Sequence, residues 1–176
     1  IFSTIDHVNF DTMFKALELL NQKKATILET GSSAWGTNSS MLFDSYVNSF
    51  GGHFQSVDIR IKPMARLCRY TSKYSTFYKG NSLDFLDKVS KSMGRLDLVY
   101  LDSFDCDWQN PLDSAIHGLR EFLKILPNFK KYGGLLLVDD TPVSKRFLAK
   151  TGINEKSIQD FTLDRKSTRL NSSHRT

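Results

Sequence analysis

The feature that most constrains the fold is a regular alternation between short apolar runs and amphipathic segments. The runs have the length of buried strands, and the segments between them repeat apolar residues at helical spacing. This pattern predicts five strands, at 25–29, 53–57, 75–79, 96–101 and 135–138. It also predicts helices over 10–22, 38–50, 63–72, 83–93, 112–126 and 143–150. Strands joined by helical crossovers favour an α/β fold, a doubly wound parallel sheet covered on both faces.

Polar and acidic residues follow the predicted strands at the point where each strand ends. They are Glu29, Asp58, the segment Gly80-Asn81-Ser82, Asp102 and the pair Asp139-Asp140. The carboxyl ends of parallel strands meet at one edge of a sheet, and ligands bind in the crevice beyond that edge. We therefore expect the functional site there.

The first of these loops favours a cationic or hydroxyl-bearing ligand. It has the spacing G-x-x-x-x-G between Gly31 and Gly36, not the G-x-G-x-x-G of a dinucleotide-binding loop, and Glu29 stands before the first glycine. Asp58 follows Gly31 by 27 residues, where a carboxylate can accept both hydroxyls of a ribose. The alternative for Asp58 is an N-cap of the next helix, and for the loop an ordinary turn that needs glycine.

Three motifs together resemble the class I S-adenosylmethionine-dependent methyltransferases, over about residues 25–142. They are E-x-G-x-x-x-x-G-x-x-S, G-N-S-x-D-F-L and L-D-L-V-Y-L-D. The resemblance is greatest to small O-methyltransferases of the catechol, caffeoyl-CoA and macrocin-like types, and it implies a Rossmann-like fold with S-adenosylmethionine as cofactor. It also implies cofactor-binding roles for Glu29, Gly31, Gly36, Ser39, Asp58, Asn81, Ser82 and Asp102, with Asn81 and Ser82 near the adenine.

Asp102, Asp139 and Asp140 form a candidate metal site. Strands 4 and 5 should be neighbours, and carboxylates at adjacent strand ends can share Mg²⁺ or Ca²⁺. These positions match the metal ligands of the catechol-type and macrocin-like enzymes. Alternatively, Asp139 and Asp140 build the turn into Thr141-Pro142.

The chain departs from the catechol-type pattern at the general base. Those enzymes have a lysine three residues after the strand-4 acid, where this chain has Asp105. Asp105 and Asp102 are therefore the candidate catalytic residues, with Asp107 and His117 as substitutes; we expect His117 to be a solvated surface residue. Three aromatic residues either line the substrate entrance or pack in the core: Trp35, Phe104 and Trp108.

Composition narrows the class of protein. The hydrophobic fraction is 40% and the charged fraction 24%, so the chain as a whole has the composition neither of a disordered polypeptide nor of a membrane protein. The net charge of +5 falls to +2 for residues 1–163 once the basic stretch 164–176 is set aside, which argues against a nucleic-acid partner. Two cysteines are too few for a disulfide scaffold, so we expect a cytoplasmic protein.

We interpret residues 1–163 as one methyltransferase domain, truncated at both ends, and 164–176 as a non-native tail resembling translated sequencing adapter; the alternative for the tail is a native basic segment. The family carries two further strands after strand 5, so the sequence is interpreted as a truncated chain. The expected function is methyl transfer to a hydroxyl of a small molecule. The use of a divalent metal and the formation of a homo-oligomer are left open. The alternatives are a cofactor-binding but inactive fragment and a nicotinamide-dependent oxidoreductase.

Overall fold

A computed structural model of the chain describes residues 10–32, 39–107 and 111–139. In order they form α1 (Phe10–Leu19), β1 (Ala25–Thr30), α2 (Ser39–Phe50), β2 (Gly52–Asp58), α3 (Ile61–Leu67), β3 (Ser75–Lys79), α4 (Ser82–Ser92), β4 (Leu98–Leu101), α5 (Leu112–Tyr132) and β5 (Leu135–Val138). The five predicted strands are all present, within three residues of their expected bounds. The segments predicted at 143–150 and 164–176 lie outside the described residues.

The strands form one parallel sheet in the order β3-β2-β1-β4-β5. The doubly wound α/β prediction is therefore confirmed. The chain adds strands on one side of β1 up to β3, then returns to the other side with β4 and β5. The direction of strand addition therefore changes between β1 and β4, and sheets of this kind bind their ligands beyond the carboxyl ends of the strands at such a change.

Both faces of the sheet are covered, because successive strand residues point to opposite sides. Ile27 of β1 and Tyr100 of β4 pack with α1 and α2 on one face, in a cluster with Met13, Phe43 and Val47. On the other face Leu28 and Val99 pack in a cluster with Leu86 of α4 and Ile125 of α5. Two-sided burial explains why β1 and β4 have hydrophobic runs instead of strict alternation.

The orientation of α5 differs from the sequence-based expectation. Helical spacing over the predicted segment 112–126 forms one apolar face, which we expect to lie against the core, yet four of its residues are exposed: Leu112, Ile116, Leu119 and Leu123. The buried residues are instead Glu121, Ile125 and Asn128. The side-chain Nδ2 of Asn128 donates to the backbone carbonyl of Gly94 at 2.8 Å, and its Oδ1 accepts from the backbone N–H of Leu96 at 3.4 Å. Both backbone groups lie just ahead of β4. These bonds satisfy polar groups that packing of leucine there would leave unpaired.

Two helices are also shorter than predicted. The chain leaves α1 at Leu19, because Asn21 and Gln22 both have φ of 54° and a right-handed helix cannot continue through them. α3 begins two residues early and ends at Leu67, followed by turns up to Thr71. Among the described residues, no helix has the length and apolar character needed to cross a membrane.

Candidate functional site

The crevice at the change of strand direction is formed by the loops that follow β1 and β4. Gly31 follows β1 with φ of 82°, and its N–H donates to the carbonyl of Val57 at 2.8 Å. A Cβ on Gly31 would lie 1.9 Å from the carbonyl oxygen of Asp102. The two loops thus approach so closely that only glycine fits between them.

We expect Gly31→Ala to lower the free energy of unfolding by about 2 kcal/mol, since it adds a steric clash to an unfavourable φ. Urea denaturation would measure the loss. Gly80→Ala is the matched control, because no heavy atom lies within 4 Å of its Cβ position and its φ is ordinary. Equal losses in the two variants would contradict the close approach at Gly31.

Glu29 at the end of β1 is fully buried, and its carboxylate is held by three hydroxyl groups. Ser39 donates to Oε1 at 2.6 Å, while Ser40 and Ser56 donate to Oε2 at 2.5 and 2.7 Å. Burial raises the pKa of Glu29 to about 7, although the serine hydrogen bonds lower it. Glu29 therefore joins β1 to the first turn of α2 and to β2.

Asp58 at the end of β2 accepts four hydrogen bonds. Its Oδ2 accepts from the amide of Ser32 at 2.9 Å and from Arg60 Nη2 at 2.6 Å. Its Oδ1 accepts from the amide and Nε of Arg60 at 2.7 and 3.0 Å. Burial alone would raise the pKa of Asp58. The hydrogen bonds from Arg60, the bond from the Ser32 amide and the positive charge of Arg60 together lower that pKa below its usual value. The carboxylate is thus ionised and saturated.

Arg60 was not predicted to belong to the site. Its side chain is 41% exposed, while that of Asp58 is 2% exposed. The bonds to Asp58 hold the pKa of Arg60 above its usual value, and the charges of Asp105 and Asp102 act in the same direction. The signal in the sequence was an arginine two residues after a strand-end acid. Asp58 is not the N-cap of α3, because Arg60 occupies that position, but its carboxylate accepts from the Arg60 amide just ahead of the helix.

Asn81 and Ser82 stand at the start of α4, beside the end of β3. Asn81 is the N-cap, accepting from the amide of Leu83 at 2.9 Å. The Ser82 hydroxyl lies 3.2 Å from that of Ser103 and 3.1 Å from Nε2 of His117. The expectation of a solvated His117 is wrong: its side chain is only 18% exposed, and its Nε2 faces the hydroxyls of Ser82 and Ser103.

Asp102 and Asp139, two of the three candidate metal ligands, follow paired residues of β4 and β5. Leu101 pairs with Val138, and the amide of Asp139 donates to the carbonyl of Leu101 at 2.9 Å. Asp139 Oδ2 accepts from the Tyr100 hydroxyl at 2.8 Å. Burial, aided by the charges of Asp102 and Asp139, raises the pKa of Tyr100, which keeps it a donor. Within the described ranges, no group of three acidic, histidine or cysteine side chains is gathered closely enough to hold a metal.

Several predicted residues lie outside the described ranges or at their margin. Gly36, Asp140, Trp35 and Trp108 are outside. Ser39, expected at the cofactor, uses its hydroxyl to hold Glu29. Asp105 and Phe104 are both exposed, in the loop after β4.

The fold is similar to that of known methyltransferases. MycE methyltransferase from the mycinamycin biosynthetic pathway, in complex with Mg and S-adenosylhomocysteine, matches with a TM-score of 0.55 and 19% identity, over 78% of this chain and 35% of that chain. Its complex that also holds mycinamycin VI matches with 0.54 and 19%, over 78% and 33%. The chain thus spans about a third of the length of these neighbours.

A second kind of Rossmann-like protein is also similar. The YIR035C short-chain dehydrogenase/reductase from Saccharomyces cerevisiae matches with a TM-score of 0.51 and 16% identity, over 65% of this chain and 52% of that chain. No family model matches the sequence, and no curated protein matches it. The described part of the chain therefore has the Rossmann-like α/β fold found in S-adenosylmethionine-dependent methyltransferases, and the fold is what these similarities establish.

Proposed function

We propose that the chain is the cofactor-binding part of an S-adenosylmethionine-dependent methyltransferase that acts on a hydroxyl of a small molecule. The observation that carries this proposal is the buried, ionised Asp58 at the end of β2, which is bonded to the amide of Ser32 in the loop after β1. A carboxylate held there by the Ser32 amide can accept the two hydroxyls of a ribose.

The charge of the crevice supports a cationic cofactor over a pyrophosphate. Asp58, Asp102 and Asp105 all lie near enough to Arg60 for their charges to act on it. S-adenosylmethionine carries a sulfonium and an ammonium group, which carboxylates stabilise, whereas they repel phosphates. The loop also lacks the glycine spacing that lets backbone amides cradle a pyrophosphate.

Ribose binding requires Arg60 to move, because Asp58 already accepts four hydrogen bonds. Two of the four come from backbone amides and can remain, so the guanidinium must leave. We therefore expect Arg60→Met to raise the affinity for S-adenosylhomocysteine about threefold to tenfold, since the competing bonds are lost. Isothermal titration calorimetry would measure the change.

The matched control is Arg66→Met, which removes the same charge from the last turn of α3. We expect the affinity of that variant to stay at the wild-type value. Weaker binding by Arg60→Met alone would mean that Arg60 contacts the ligand, and would contradict competition for Asp58.

The transfer step is an in-line displacement, in which the acceptor oxygen bonds to the methyl carbon as the carbon–sulfur bond breaks. Asp105 and Asp102 are our candidates for receiving the acceptor's proton. Asp102, Asp139 and Asp140 would hold a divalent cation, whose charge makes a bound hydroxyl more acidic. Carboxylate oxygens are the hard ligands that Mg²⁺ prefers in proteins.

A nicotinamide-dependent oxidoreductase is the second candidate, favoured by the dehydrogenase of similar fold. A chain that binds the cofactor without turnover is the third. Transfer of a labelled methyl group from S-adenosylmethionine to a panel of catechols and hydroxylated glycosides, with and without Mg²⁺, separates these candidates. Labelled product that disappears in Asp58→Ala supports the proposal, while hydride transfer from a nicotinamide cofactor contradicts it.

A further inference from the structure

Four side chains from three elements meet behind the predicted adenine end of the crevice. Ser82 begins α4, Ser103 follows Asp102 in the loop after β4, and His117 and Glu121 lie one turn apart on α5. His117 Nε2 is 2.9 Å from the Ser103 hydroxyl and 3.1 Å from the Ser82 hydroxyl. Ser103 also donates to Glu121 Oε1 at 2.6 Å.

Glu121 is 1% exposed, so its carboxyl group is removed from water. A buried carboxylate destabilises a fold unless hydrogen bonds compensate for its lost hydration. Here Ser103 donates to it, and His117 Nε2 lies 3.5 Å away. The result is a polar connection between α5 and the loop after β4.

The direction of these hydrogen bonds follows from the number of available protons. Ser103 has one hydroxyl proton and donates it to Glu121, so it must accept from His117. The geometry thus assigns the tautomer with the proton on Nε2. A hydrolytic triad is excluded, because it requires the acid at Nδ1 of the histidine, whereas Glu121 faces the same nitrogen as the serines.

An aromatic face lies beside these hydroxyls. The Phe104 ring packs on the His117 imidazole, with centroids 5.1 Å apart and planes inclined by 32°, and Phe104 is 46% exposed. An exposed aromatic ring beside fixed hydroxyl groups offers a nucleobase both a stacking surface and hydrogen-bond partners.

We propose that His117, supported by Glu121, is a positioning residue that holds the Ser82 and Ser103 hydroxyls and the Phe104 ring where they receive a purine base. This role deepens the proposed function and rests on it. His117 acts through its Nε2–H donor, so a side chain that keeps a donor at that position should preserve the site. A side chain of similar size without a donor should not.

The test compares His117→Gln, which keeps an N–H donor, with His117→Met, which lacks one. Calorimetry would measure the affinity of the full chain for S-adenosylhomocysteine and for methylthioadenosine, which has the base and ribose but no amino-acid end. We expect His117→Met to weaken both ligands by the same factor, about tenfold, and His117→Gln to retain most of the affinity. Arg120→Met, exposed on the same helix, is the control and should bind as the wild type does.

Three outcomes would overturn the positioning role. They are wild-type affinity in His117→Met, equal losses in the Gln and Met variants, and a loss confined to S-adenosylhomocysteine. If His117→Met does not fold, as judged by its thermal transition, Ser103→Ala compared with Ser103→Thr replaces it, because the first removes and the second keeps the hydroxyl that joins His117 to the loop. Absence of binding by the wild-type chain would instead overturn the proposed function, and this role with it.

Discussion

Asp58→Ala is expected to weaken the binding of S-adenosylhomocysteine about a hundredfold. The variant loses two charge-assisted hydrogen bonds to the ribose, each contributing about 1.5 kcal/mol. The variant keeps the bond from the Gly31 amide to Val57 but loses those from the Ser32 and Arg60 amides to Asp58, so its thermal transition is measured alongside its affinity. Isothermal titration calorimetry at low salt would measure the loss.

The control for this variant is Glu18→Ala, which should bind as the wild type does. Glu18 is an exposed acid at the end of α1, and because α1 leads into β1, it lies at the edge of the sheet opposite Asp58. Asp58→Asn should fall between the wild type and Asp58→Ala, because its amide oxygen can still accept one hydroxyl. Wild-type affinity in a folded Asp58→Ala variant would exclude Asp58 from the cofactor site.

Stability should fall as the pH rises from about 4.5 to about 7, because of Glu29. Its pKa is about 7 in the folded chain and 4.5 in an unfolded one, so the folded state binds more protons between these values. The stabilising proton is fully present below pH 4.5 and is lost as the pH passes the folded pKa. The shift corresponds to about 3 kcal/mol between pH 4.5 and pH 8. Urea denaturation at a series of pH values would measure it.

Glu29→Gln is the matched variant for this effect, since it keeps the size of the side chain and removes the ionisation. We expect its free energy of unfolding to change little between pH 4.5 and pH 8. The lowered pKa of Asp58 acts in the opposite direction, but only below its usual value of 3.8, outside this window. A wild-type stability that rises with pH across the window would contradict the buried environment of Glu29.

The sequence was sufficient to predict the strands and the carboxyl-edge position of the acids. These depend on local hydrophobic runs and on the rule that parallel strands end at one edge, as Glu29, Asp58 and Asp102 do. The partners of these acids were not predictable in the same way. The three serines that hold Glu29 come from α2 and β2, and only the folded chain brings them together.

The face of α5 shows why periodicity alone misleads. Its apolar stripe predicts a core face, but helical spacing does not say which side meets the sheet. Hydrogen bonds decide it here: Asn128 satisfies backbone groups near Gly94, and Glu121 accepts from Ser103. The same rotation carries His117 from its expected surface position into the cluster with Ser82.

The most direct test of the central proposal is a calorimetric titration of the full chain with S-adenosylhomocysteine and, in parallel, with NAD⁺. The acidic crevice around Asp58 predicts saturable binding of S-adenosylhomocysteine and none of NAD⁺, whose pyrophosphate the carboxylates repel. Saturable binding of NAD⁺ by a folded, monomeric chain that does not bind S-adenosylhomocysteine would contradict the proposal and favour the oxidoreductase.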